Sequence, residues 1–156
     1  MKYVFCASPT PSETAKELLK KLGKDALNKE IKIKYFPNGK PYIGGNEQYI
    51  SISHSKEFVL VGIHQLPIGV DVEVLRPFNK KLINRYFTPE EADFIDNQEK
   101  FFIIWTVKEA FLKLTGQGLK GIKKLNTVVN GEIKIDGYEI LSFIKDGCAI
   151  AIVYKK

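Results

Sequence analysis

The residue pattern predicts an α+β fold of two similar halves, each an antiparallel sheet packed on a helix. Three observations carry this expectation. Strand-like alternation recurs over 31–36, 49–53, 58–64 and 68–74, with only Gln65-Leu66-Pro67 between the last two runs. Two hairpin signals, Asn130-Gly131 and Asp146-Gly147, punctuate the C-terminal part. Helical periodicity appears twice, from Thr10 to about Asn28 and over 101–116. A chain of 156 residues, 44% of them apolar, suits one compact domain. The pseudo-halves fall at about 1–66 and 67–156, with a cleft between them as the natural ligand site.

Taken in order, residues 2–7 read as a strand. Thr10-Pro11-Ser12-Glu13 reads as a helix start, with Thr10 as N-cap, Pro11 in the first turn and Glu13 closing a capping box. Ala15, Leu18, Leu19, Leu22 and Leu27 form its apolar face. Lys16, Lys20, Lys21 and Lys24 cover the other side, a solvated face before it is a phosphate-binding one. Pro37-Asn38-Gly39-Lys40-Pro41 is a turn. The short link after His64 predicts that 58–64 and 68–74 pair antiparallel. Thr88-Pro89-Glu90-Glu91 repeats the capping pattern and opens a short helix to about Asn97. Beyond Gly121 the chain returns to strands, in hairpins 127–135 and 138–154.

The helix at 101–116, FFIIWTVKEAFLKLTG, spreads apolar side chains round almost its whole circumference, so it should be buried on most sides. Gly116 stands at its C-cap. Thr106, Glu109 and Lys113 interrupt it at i, i+3 and i+7, on one stripe. A Glu109–Lys113 ion pair at i, i+4 is the plain structural use of these charges. A second acidic element, Gly69-Val70-Asp71-Val72-Glu73, points elsewhere. On a strand, Asp71 and Glu73 share one face, and two adjacent carboxylates titrate high unless a cation sits between them. An exposed polar edge would explain them; so would a hard divalent metal, Mg²⁺ by preference, held by oxygens alone with Glu109 as third carboxylate. Lys40, on a turn set by Gly39 and Pro41, can meet a phosphate as a point charge, and Ser53-His54 at a strand exit can donate to another. His64 reads as structural or exposed.

Composition narrows the rest. The 24 basic and 18 acidic residues leave a net charge of +6, almost all from lysine; Arg76 and Arg85 are the arginines. Nucleic-acid readers favour arginine, so such a role is not expected. The charge favours an acidic partner or a polyphosphate. No apolar run is long enough to cross a membrane, and MKYVFCASPTPSE does not read as a signal peptide. Cys6 and Cys148 read as reduced core thiols, which fits a cytoplasmic protein, and no Cys/His cluster has zinc spacing.

Gly69-Val70-Asp71-Val72-Glu73, the 38-residue step from Asp71 to Glu109, and Trp105-Thr106-Val107-Lys108-Glu109-Ala110-Phe111-Leu112-Lys113 resemble the signature of the 4′-phosphopantetheinyl transferases, in their surfactin-synthetase-activating branch. Gly39-Lys40-Pro41 and Ile52-Ser53-His54-Ser55 look like its two upstream motifs, and Phe87-Thr88-Pro89-Glu90-Glu91 like the segment between, so the resemblance covers roughly residues 36–120. It implies a fold of two similar α+β halves and transfer of the phosphopantetheine arm of coenzyme A to a serine of an acidic acyl, peptidyl or polyketide carrier protein. It also implies Mg²⁺ on Asp71, Glu73 and Glu109, and coenzyme A on Lys40, Pro41, Ser53, His54, Lys108 and Lys113. Glu109 is the candidate base, directly or through a metal-bound water, and Lys113 would stabilise the leaving phosphate. A monomer is expected, since both halves are in one chain. The rival within this fold is a catalytically silent module that binds coenzyme A or a carrier. Residues 12–30 carry lysines and no arginine, where the family has a basic arginine-containing segment.

Overall fold

The computed structural model describes residues 1–27, 30–37, 39–44 and 48–156. Asn28, the expected end of the first helix, and Asn38, in the expected turn, lie outside the described residues. The chain is α+β with antiparallel sheets. The order begins β1 (Lys2–Ala7), α1 (Pro11–Leu27), β2 (Ile33–Tyr35), β3 (Pro41–Ile43), β4 (Tyr49–Ser55), β5 (Phe58–His64) and β6 (Ile68–Val74). It continues through α2 (Lys81–Tyr86), α3 (Pro89–Phe94), α4 (Gln98–Thr115) and a 3₁₀ turn, Leu119–Lys124. The chain closes with β7 (Val128–Val129), β8 (Glu132–Ile133), β9 (Tyr138–Lys145) and β10 (Cys148–Lys155).

The first sheet has the order β1-β5-β4-β3-β2, the second β6-β10-β9, and β7-β8 is a separate hairpin. The amphipathic face of α1 covers one side of the first sheet: Ala15, Leu19 and Leu22 pack with Ile50, Val59, Val61 and Ile63. Its four outer lysines are exposed. The start of α1 is tied differently from the expected capping box. Ser8 Oγ accepts the Thr10 N–H at 3.1 Å and pairs with Thr14 Oγ1 at 2.6 Å. The other face of the first sheet meets the second, with Leu60 against Ile68, Val70, Ile150 and Ile152.

The expected β5–β6 ladder does not form; the two strands belong to different sheets. β6 pairs antiparallel with β10 instead, Val70 opposite Ile152, and Lys155 N–H caps the link by donating to Pro67 C=O at 3.0 Å. Both sides of β5 are already taken, by β1 and β4, so β6 leaves the first sheet, and its near-continuous apolar run, IGVDVEV, is buried between that sheet and α4. It crosses β4 and β5 with side chains between. A Cβ on Gly62 would stand 2.8 Å from Val70 Cγ1.

Gly69 explains why α4 packs so close to β6. A Cβ there would lie 1.8 Å from the Ala110 carbonyl oxygen and 2.8 Å from Leu114 N, backbone atoms that cannot swing aside. The bare glycine lets the strand approach the helix at the turn between Glu109 and Lys113. α4 is buried nearly all round, as its composition predicts, and starts three residues earlier, where Asn97 accepts the Lys100 N–H. Gly116 ends it in the left-handed conformation at φ 73°. Both hairpin signals are realised, with positive φ at Asn130, Gly131, Asp146 and Gly147. α2 and the 3₁₀ turn were not anticipated. Cys6 and Cys148 are free thiols, and no helix of the described residues is long and apolar enough to cross a membrane.

Candidate active site at the seam of the two sheets

The seam between the sheets is made by hydroxyls. β4 places Ser51, Ser53 and Ser55 on its second-sheet face at the strand period of two, opposite Gly62, Leu60 and Phe58 of β5. Val70 N–H donates to Ser51 Oγ at 3.0 Å and Val74 N–H to Ser55 Oγ at 3.2 Å. Between them, β6 presents its two acids with the same period. Ser53 Oγ donates to Asp71 Oδ1 at 2.7 Å, and Ser55 Oγ to Glu73 Oε2 at 3.1 Å.

Cations complete both carboxylates. Lys113, from the last turns of α4, donates to Asp71 Oδ1 at 2.7 Å and to Ser53 Oγ at 2.9 Å. Lys113 therefore pairs across the seam, and no Glu109–Lys113 ion pair forms among the described residues. Arg76 donates to Glu73 Oε2 at 2.8 Å and to Val74 C=O at 3.1 Å, and its guanidinium lies over the Phe102 ring. Asp71 is 5% exposed, and its second oxygen, Oδ2, is buried with no hydrogen-bond partner among the described residues. Burial pushes the Asp71 carboxyl up, Lys113 and Ser53 pull it back, and Glu73 adds a smaller upward push.

Glu109 stands one turn before Lys113 on the same stripe of α4. Its carboxyl is pushed up to about 7, chiefly by burial, then by the charge of Asp71 and, less, of Glu73, against the pull of Lys113. The three acids thus act on one another through space. Glu109, Lys113, Lys40, Pro41, Ser51 and Leu119 line a cleft of about 370 Å³. Lys40 donates to Leu114 C=O at 2.8 Å, in the last turn of α4 where carbonyls lack helical partners. Burial lowers its pKa.

A carboxyl with a raised pKa favours the protonated fold. Its stabilising contribution is complete below the ordinary carboxylate range and is lost as pH rises through about 7. The metal-free protein should therefore lose thermal stability between about pH 5 and about pH 8, and Glu109→Gln should lose less over that range. Melting both proteins across this range in chelator checks it; parallel profiles would refute the assignment to Glu109.

Two expected site residues go elsewhere. Lys108 is fully buried on another side of α4. Its ammonium pairs with Glu91 and donates to Leu125 C=O at 2.7 Å, above the Phe87 ring. Adjacent helical residues point about 100° apart, so Lys108 and Glu109 do not serve one cleft. Glu91, read from sequence only as a capping residue, does close the Thr88 capping box and also accepts Thr127 N–H and Oγ1, each at 2.8 Å. His54 is exposed on the α1 face of β4, opposite Ser53, and does not line the cleft. His64, read as structural or exposed, is half-buried and accepts the Leu66 N–H on Nδ1 at 3.0 Å. Ser55 enters the sequence reading only within the Ile52–Ser55 motif, and Ser51 and Arg76 have no role in it; the matched two-residue periods of YISISHS and GVDVE are the available signal for the serines.

The fold and the seam define a two-sheet α+β protein with a buried aspartate beside a cleft that one glutamate and two lysines line, a setting suited to an anionic ligand. Residues 67–146, just over half of the chain, match the model of the 4′-phosphopantetheinyl transferase superfamily, and the chain belongs to that superfamily. It is 34% identical over 120 residues to a putative 4′-phosphopantetheinyl transferase of Synechocystis sp., an alignment covering 69% of this chain and 48% of that protein. It is 32% identical to the 4′-phosphopantetheinyl transferase HetI of Nostoc sp., over 62% of this chain and 46% of the relative. With the 4′-phosphopantetheinyl transferase Sfp of Bacillus subtilis the identity is 32%, over 52% and 39%. The chain therefore spans about half, or less, of the length of these relatives.

Proposed function

We propose that this chain transfers the 4′-phosphopantetheine group of coenzyme A to a serine hydroxyl of an acyl, peptidyl or polyketide carrier protein, releasing adenosine 3′,5′-bisphosphate. The observation that supports it most is the meeting of Lys113, Ser53 and Asp71 across the seam, beside Glu109 in a cleft that Lys40 also lines. Those groups come from both sheets and from the helix packed on the second sheet, and they supply both signs of charge.

The residues fit a divalent cation. Asp71 carries a buried oxygen with no partner among the described residues, and Glu109 has no hydrogen bond to its carboxyl among them. All the donors are oxygens, the set a hard cation takes. As the side chains stand, no group of three among the described residues is close enough to be counted a metal site. In this reading Asp71, Glu73 and Glu109 hold Mg²⁺, which would neutralise charge on the transferring phosphorus. Glu109, with a carboxyl poised near neutrality, accepts the proton of the carrier serine, directly or through water. Lys113 and Lys40 bind phosphate oxygens, Pro41 shapes the cleft beside Lys40, and Ser53 holds Lys113 from behind the lining. Lys113 already shares its ammonium between Asp71 and Ser53, so a phosphate oxygen is a third acceptor it can reach. The +6 charge attracts an acidic carrier. The two sheets serve as the pseudo-halves of a monomer acting in the cytoplasm.

The test is to incubate the protein with coenzyme A, Mg²⁺ and an apo carrier protein, and weigh the carrier. A mass gain equal to one phosphopantetheine is expected. No gain with any of several fatty-acid, polyketide and peptide carriers would overturn the proposal.

A further inference from the structure

Asp71 and Glu73 are held in the same manner, each through one oxygen among the described residues. On Asp71, Ser53 and Lys113 both donate to Oδ1, and Oδ2 is buried without a partner among the described residues. On Glu73, Ser55 and Arg76 both donate to Oε2. The two acids are i, i+2 on β6, the two serines i, i+2 on β4, and each acid receives one hydroxyl and one cation. Nothing in the proposed transfer chemistry uses Ser55 or Arg76. Ser55 is tied down in turn, accepting Val74 N–H at 3.2 Å, and Arg76 is anchored on Val74 C=O and the Phe102 ring.

We infer that Ser55 and Arg76 are positioning residues for the divalent cation: they fix Glu73 by Oε2 and turn its other oxygen to the metal, as Ser53 and Lys113 do for Asp71. This rests on the metal reading given above. A carboxylate pinned through one oxygen loses little further side-chain freedom when the other binds a cation, which is how outer partners raise metal affinity. Loss of such a partner typically weakens metal binding about 10-fold or more.

The experiment is a calorimetric titration of the full chain with Mg²⁺, and with Mn²⁺ followed by its electron paramagnetic resonance signal, without coenzyme A or carrier. Ser55→Ala should bind about 10-fold more weakly, and Ser55→Thr, which restores the hydroxyl, should return to within about 3-fold of the parent. Arg76→Met, at a half-exposed side chain, should weaken binding in the same direction with no loss of thermal midpoint. Metal affinity in Ser55→Ala equal to the parent's overturns the inference, and so does a tighter site in Arg76→Met, which would mark Arg76 as a competitor of the metal. Failure of Ser55→Thr to recover affinity also overturns it. A parent chain that takes up neither cation overturns the metal reading itself, an outcome distinct from the others.

Discussion

Glu109→Gln is expected to lower carrier modification by about 10²-fold or more at saturating coenzyme A. The substitution keeps size and helix propensity and removes one proton-accepting group and one anionic oxygen. Glu109 is the carboxyl that lines the cleft and the one raised to about 7, so it exchanges protons near neutral pH. Its environment also predicts that the fold survives. Burial and the charges of Asp71 and Glu73 all disfavour the ionised form, so at about pH 8 the glutamine variant should melt no lower than the parent. Single-turnover mass measurement of the carrier, paired with a melting curve, reads both effects. A variant that transfers at near the parental rate removes Glu109 from the chemistry.

Glu91→Ala is expected to cost about 3–5 kcal/mol of folding stability, the penalty for stranding a buried ammonium. In a marginally stable domain that is a large share of the whole. Glu91 and Lys108 are both fully buried, and Glu91 gathers Thr88 N–H, Lys108 and both donors of Thr127. The pair thus joins α3, α4 and the strand entering β7. Removing both charges together, as Glu91→Leu with Lys108→Met, should cost less than Glu91→Ala alone, because no unpaired ion remains. Lys108→Met should leave the Michaelis constant for coenzyme A unchanged while lowering the urea midpoint. A single-variant loss under about 1 kcal/mol, or a raised Michaelis constant, would contradict this structural role.

The sequence made the element types legible wherever local chemistry dictates them. Thr88-Pro89-Glu90-Glu91 caps α3 as read, Gly116 stops α4, and the Asn-Gly and Asp-Gly pairs turn their hairpins. The stripe of Glu109 and Lys113 and the shared face of Asp71 and Glu73 also followed from helix and strand periods alone. Partner choice between elements did not. A short link after His64 favours β5 as the neighbour of β6, but β1 and β4 occupy both sides of β5, and β6 pairs with β10, about eighty residues away in sequence. Lys108 enters the coenzyme A set only through the family resemblance, while one residue step on a helix turns its side chain away from the stripe of Glu109. The partner that claims it, Glu91, lies 17 residues upstream in an element whose cap already explained the acid. The pairing of Lys113 with Asp71 spans 42 residues and two elements, beyond the reach of any local pattern.

The hydroxyl seam has a consequence for how this architecture tolerates change. A main-chain ladder binds two strands whatever their side chains are, so its grip survives most point mutations. Here β4 and β6 are joined through Ser51, Ser53 and Ser55. These polar ties stand beside the apolar contact of Leu60 with Ile68, Val70, Ile150 and Ile152, and each rests on a single oxygen atom that one codon change can delete without disturbing either sheet's own ladder.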